Sequence, residues 1–156
     1  MNDNGEYQFE IFDTGNFIRV VPLRFMHPNA DMDWDRNWIE THIEINAEPF
    51  HGKYRTSLMT GDFEKFKQEL KRIYNDLSGV TMFDSMESEI EIKIKGDGLG
   101  HFKANCIATD RTTVDGSELS FVLDFDQTQI PELIKQLEEI TTAFPIFGDI
   151  FKTKKQ

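Results

Sequence analysis

The chain has 156 residues, and 17 Lys and Arg stand against 28 Asp and Glu, giving a formal charge of −11. Aromatic residues make up 12%, 14 of them Phe, which excludes a disordered or fibrous chain because disorder goes with few aromatics. No apolar run approaches the ~20 residues of a membrane span. The acidic, polar start Met1–Glu6 is not a secretion signal of the usual kind. The lone Cys106 rules out an internal disulfide and a cysteine-built zinc site, and it fits a reducing compartment. A cytoplasmic protein that needs no membrane is expected.

The negative charge is not a tail. Residues 1–78 and 79–156 each hold fourteen acids, against nine and eight bases. Such a body repels phosphate backbones, and no basic groove with interleaved aromatics is present, so direct nucleic-acid binding is not expected. The charge then serves solubility, or it steers the protein onto a basic partner.

In chain order, period-two alternation predicts strands over Tyr7–Phe12, Phe17–Phe25, Ile39–Ile45 and Phe50–Leu58. Pro22 marks the second as an edge strand or a bulge. Phe63, Phe66, Leu70, Ile73 and Leu77 then recur at spacings of three and four, which predicts a helix. Thr60 or Asp62 can cap its start and Gly79 can stop it. Further strands follow at Val80–Phe83, Glu89–Lys95, His101–Ala108 and Glu118–Phe125, with Gly96–Gly100 as a hairpin turn. On Glu89–Lys95 three isoleucines face one way, and the four charges are read as a solvated face. Leu133, Ile134, Leu137, Ile140 and Phe144 predict a second helix, with Thr128 near its start, Pro131 in its first turn and Pro145 after its end. Ile146–Phe151 is apolar enough to pack back, and Lys152–Gln156 is expected to be free. Consecutive strands without regular alternation with helices predict an α+β fold. The expectation is one domain over residues 1–156, a mainly antiparallel sheet of about seven to eight strands, and helices at about 61–78 and 129–144.

The densest chemistry is Asp31-Met32-Asp33-Trp34-Asp35-Arg36-Asn37-Trp38. Three alternate aspartates resemble the start of an EF-hand loop, but Arg36 and His42 occupy the places that need Gly and Glu. A polar loop anchored by its tryptophans, a looser divalent-cation site and a partner-recognition loop all remain open, the last because acids beside aromatics suit an interface. His27, His42, His51 and His101 stand apart without zinc-hydrolase spacing. Cys106 shares strand parity with Phe102 and Ala104 and reads as a core thiol. The glycines at 96, 98 and 100 lack the Lys-Ser/Thr of a P-loop and lead into a strand, so they form a turn. No catalytic residue, metal ligand or cofactor is assigned.

Several of these signals also occur in a familiar order. The acidic loop runs into Asn37-Trp38-Ile39, and Thr60-Gly61-Asp62-Phe63-Glu64-Lys65-Phe66 opens a helix that Leu77-Ser78-Gly79 closes. Then come Glu87 with Ile90-Glu91-Ile92, and Asp97-Gly98-Leu99-Gly100-His101-Phe102. Over residues 16–142 this resembles the WapI-type immunity proteins. The resemblance implies a non-enzymatic protein that protects its producer by binding the C-terminal domain of a cognate toxin, often a nuclease acting on tRNA. It carries over no catalytic motif and no contact set. The contact surface expected from the residues is Asp31, Asp33, Trp34, Asp35 and Trp38, with Glu40 and Glu44 on the adjoining strand face. Two alternatives stand beside it. One is a metal-dependent or small-molecule enzyme built on Asp31, Asp33, Asp35 and a histidine. The other is a homo-oligomeric module, such as a homodimer, whose strand edges pair across a two-fold axis.

Overall fold

The computed structural model describes residues 1–110 and 115–148. The alternating segments form eight strands: β1 (Phe9–Asp13), β2 (Asn16–Phe25), β3 (Trp38–Ala47), β4 (Phe50–Met59), β5 (Ser78–Asp84), β6 (Ile90–Asp97), β7 (His101–Thr109) and β8 (Glu118–Asp126). The predicted helices are α2 (Thr60–Asp76) and α3 (Ile130–Ala143), and a one-turn helix α1 (Asp33–Arg36) lies in the acidic loop. The strands divide into two antiparallel four-stranded meanders, ordered β1-β2-β3-β4 and β5-β6-β7-β8. The chain is thus an α+β fold in which four strands and a helix occur twice. That doubling is invisible in the sequence, which shows no repeat. Pro22 sits in an interior strand, and the β2–β3 register shifts between Pro22 and Arg24, so the proline marks a bulge.

A single core joins the two sheets. Phe9 from β1, Phe63 and Phe66 from α2 and Phe83 from β5 are all buried, with ring centroids 5.2–6.2 Å apart where they meet. Ile90, Ile92 and Ile94 of β6 stand in register with Ala108, Cys106 and Ala104 of β7, so large side chains face small ones. Burial pushes the Cys106 thiol up to about 12, in keeping with a core role. Leu133, Leu137 and Ile140 of α3 complete this side of the core.

Both ends of α2 differ from the simplest expectation. Asp62 caps, accepting the Met59 N–H at 2.9 Å, whereas the Thr60 hydroxyl donates to Asn37 Oδ1 at 3.0 Å. At the other end the left-handed cap is Leu77, with φ +57, while Gly79, with φ +101, already belongs to β5. Its carbonyl accepts the Gly98 N–H at 2.8 Å, and a Cβ on Gly96 would lie 2.6 Å from that same oxygen. The β6–β7 turn therefore docks on the helix end and holds a conformation that leucine alone would avoid.

Among the described residues, side chains meet three of the four sheet edges. The β1 backbone bonds Gln129 and Gln136, the Asp124 N–H of β8 donates to Asp13, and Glu69 and Arg72 of α2 bond the β5 backbone. Glu89, expected on a solvated face, is half-buried instead. Its carboxylate accepts from the Thr56 hydroxyl at 2.9 Å and its carbonyl from the Tyr54 hydroxyl at 2.6 Å, which ties β4 to the start of β6. The apolar tail packs back at least to Gly148, while residues 149–156 lie outside the described residues. No described helix is long and apolar enough to cross a membrane.

Candidate functional site

The acidic loop connects β2 to β3. After Phe25 the chain turns through His27–Ala30, where the Ala30 N–H donates to the His27 carbonyl at 3.1 Å. The Met32 carbonyl then accepts the N–H groups of Asp35 and Arg36 and opens the single turn of α1. Aspartates at the start of that turn and Arg36 at its end suit the exposed N–H and C=O groups there. Arg36 also pairs with Asp33 at 3.3 Å and donates to the Pro28 carbonyl at 3.3 Å, so it ties the two parts of the loop together.

Asn37 holds this loop to the body. It is fully buried, and all of its side-chain hydrogen-bonding capacity is used. The Nδ2 group donates to the carbonyls of Asp33 (2.9 Å) and Phe147 (3.0 Å). The Oδ1 atom accepts from the Phe147 N–H (2.7 Å) and the Thr60 hydroxyl (3.0 Å). One side chain thus joins the loop, the start of α2 and the chain after α3. The Phe147 ring packs on Phe25 with centroids 5.1 Å apart, and the Arg36 guanidinium lies 4.0 Å above it. Beyond it Gly148 has φ +76, and a Cβ there would lie 2.6 Å from Asp33 Oδ2.

The expected contact residues fall into two groups. Asp31, Asp33, Trp34 and Asp35 are exposed together on the loop, with Trp34 at 39% and its neighbour Met32 at 65%. Trp38, Glu40 and Glu44 lie half-buried at alternate positions on the outer face of the first sheet. Glu40 bridges Arg24 (2.7 Å) and Arg55 (2.6 Å), and Glu44 bridges Arg19 (2.8 Å) and Lys53 (3.7 Å). Glu10, Arg19, Glu44 and Lys53 stand in register across all four strands, so this row is neutral within itself. Asp33 is paired as well. Asp31 and Asp35 have no ion pair among the described residues, so the negative charge open to a partner at this end is on the loop.

A concavity of about 590 Å³ opens beside the loop, walled by Met26, His27–Ala30, Asp35 and Trp38. Among the described residues, no group of three or more His, Cys, Asp or Glu side chains is placed to hold a metal ion. The anchoring by Asn37 and Phe147 and the Met26 wall escaped the sequence reading. A single asparagine before a strand carries no periodic signal, and its partners are distant in the chain.

The profile of the family described as immunity protein WapI-like matches residues 8–145, spanning everything from the first strand through the last helix. The chain belongs to the immunity protein WapI-like family. The WapI-like match takes in β1, which the resemblance over residues 16–142 left out, and it ends before Ile146. No curated protein matches the chain. Three solved structures are similar to it in backbone course. WHY1 from Arabidopsis thaliana has a TM-score of 0.46 at 12% identity, over 94% of this chain and 88% of that one. The plant transcriptional regulator PBF-2 has 0.45 at 13%, over 89% and 82%. MRP1/MRP2 of Trypanosoma bruciei has 0.43 at 12%, over 90% and 87%.

Proposed function

We propose that this protein is a non-enzymatic immunity protein that binds a cognate basic toxin domain, a nuclease, and blocks its active face. Membership of the WapI-like family supports the immunity function. The observation that carries the rest is the division of charge at the β2–β3 end. The acids of the sheet face are paired internally, while Asp31 and Asp35, beside exposed Met32 and Trp34, have no ion pair among the described residues. Unpaired carboxylates around apolar side chains give a surface that attracts a basic partner and then excludes water from the contact. A nuclease must attract phosphate, so its active face is basic and complements this surface. Asp31, Asp35, Trp34 and Trp38 make the contact, Asp33 holds the loop through Arg36, and Glu40 and Glu44 brace the sheet beneath.

The test begins with capture from the source cell's lysate at low and high salt, with bound proteins identified by mass spectrometry. A basic toxin fragment retained at low salt and weakened at high salt is expected. The purified fragment should then lose its activity in stoichiometric mixture with this protein. Retention of no basic protein, or full toxin activity in the complex, would refute the reading.

A further inference from the structure

The acidic loop shows on one side how it holds a cation. There the Arg36 guanidinium lies 4.0 Å above the Phe147 ring and 3.3 Å from the Asp33 carboxylate. Asp33 and Asp35 are two residues apart on a helical turn and so do not share a side. On the other side, Asp35 and Trp38 offer a second carboxylate and a second aromatic ring, both lining the concavity of about 590 Å³. Among the described residues this pair has no Lys or Arg of the chain's own. Asp35 has no ion pair among the described residues, and of the described residues lining the concavity none is Lys or Arg, His27 being the one base. Met26, 41% exposed, adds an apolar wall along which an alkyl stem can lie.

We propose that this concavity is a socket for an arginine side chain of the partner protein, its guanidinium set against the Asp35 carboxylate and the Trp38 ring. The assignment rests on the reading that the partner is a basic protein. Arginine fits better than lysine for three reasons. Its planar guanidinium can bond a carboxylate through two N–H groups, it stacks on an indole, and it is more weakly hydrated than an ammonium. An arginine held by an acid and an aromatic ring is also the kind of contact that dominates interface energetics.

The full chain, labelled with nitrogen-15, is titrated at neutral pH with Nα-acetyl-arginine amide, and with the matching citrulline amide as an uncharged isostere. The two indole N–H resonances, of Trp34 and Trp38, are told apart with Trp34→Phe. A saturable shift of the Trp38 resonance is expected with the arginine amide and not with the citrulline amide. Asp35→Asn, with its spectrum otherwise unchanged, should weaken that binding about tenfold. No saturable shift, an equal response to citrulline, or unchanged binding by Asp35→Asn would overturn the socket. The same variant separates this proposal from the one it rests on. A basic partner that binds Asp35→Asn as tightly as the natural protein refutes the socket and leaves the immunity reading intact. Arginine-specific binding without any basic partner in the lysate supports the socket and refutes that reading.

Discussion

The β2–β3 and β6–β7 connections occupy equivalent places in the two four-stranded sheets, yet they differ in what fixes them. The β6–β7 turn is Gly98-Leu99-Gly100, with φ +85 and +99 at its glycines. Asp97 accepts the N–H groups of Leu99 (2.7 Å) and His101 (3.1 Å), and these bonds, led by that of Leu99, hold its carboxyl below the usual carboxylate range. The bend itself is set within five residues, and distant groups only seat it: the Gly98 N–H donates to the Leu77 carbonyl and the Gly100 carbonyl accepts the Gln127 N–H, both at 2.8 Å. The β2–β3 loop, Met26–Asn37, contains no glycine; its own bonds give it one turn of helix, and Thr60 and Phe147, remote in sequence, anchor it through Asn37. A turn of three residues exposes one large side chain, Leu99. A loop held from below by one asparagine can expose Met32, Trp34 and Asp35 without losing its shape.

The largest effect should come from the part of the core that the two halves share. Phe83→Ala, which removes a β5 ring from the cluster around Phe9 and α2, is expected to cost about 3–5 kcal/mol. Denaturant unfolding followed by tryptophan fluorescence, which reports the β2–β3 end, should coincide with unfolding followed by circular dichroism. Separate transitions would mean that the halves are independent units.

Asn37→Ala should cost about 2–4 kcal/mol, because it strands the Phe147 and Thr60 groups that Asn37 now satisfies. It should also raise hydrogen exchange through residues 31–37 and leave the β6–β7 turn protected. Gly98→Ala, at φ +85, should cost about 1–2 kcal/mol and disturb its own hairpin and the end of α2 that it bonds at Leu77, without reaching residues 31–37. Equal spread of the two effects would contradict the contrast between the connections.

Asp62 gives a smaller, pH-dependent effect at the junction of loop and helix. Burial raises its carboxyl to about 6, against the pull of the Met59 N–H. A carboxyl raised in the folded state favours folding when protonated, so this contribution is complete below about pH 4 and is lost as pH rises through about 6. Asp62→Asn should therefore be more stable than the natural protein at pH 8, by about 1–3 kcal/mol, and should lack the gain on acidification between pH 7 and 5. Thermal unfolding across that range measures both.

The smallest effect on the fold should come from the residues placed at the contact surface. Asp31→Asn with Asp35→Asn is expected to change stability by no more than about 0.5 kcal/mol. The same pair should slow association with a basic partner about tenfold at low salt and much less at high salt. Stopped-flow association at two ionic strengths decides this. A large loss of stability would mean that the loop acids brace the fold.

Much of the architecture was legible because it is periodic. The isoleucines of Ile90–Ile94 could face only one side of a strand, and Phe63, Phe66 and Leu70 only one side of a helix, whatever surrounded them. The acidic loop was legible as a cluster of residue types, without its geometry. Glu40 and Glu44 were correctly placed on the outer face, but their pairing with Arg24, Arg55, Arg19 and Lys53 required the strand register. The left-handed Leu77 was hidden for the same reason, since only the docked turn at Gly96–Gly98 explains it.

The sequence by itself determined the strands, the two long helices, the acidic character and the Gly98–Gly100 turn, because each depends on neighbours within a few residues. Tertiary structure alone decided that the strands divide into two sheets and that Asn37 gathers loop, helix and tail. It also decided which acids remain unpaired. Those are facts about residues brought together from distant parts of the chain, and local periodicity carries no trace of which distant group will fill a side chain's hydrogen bonds or cancel its charge.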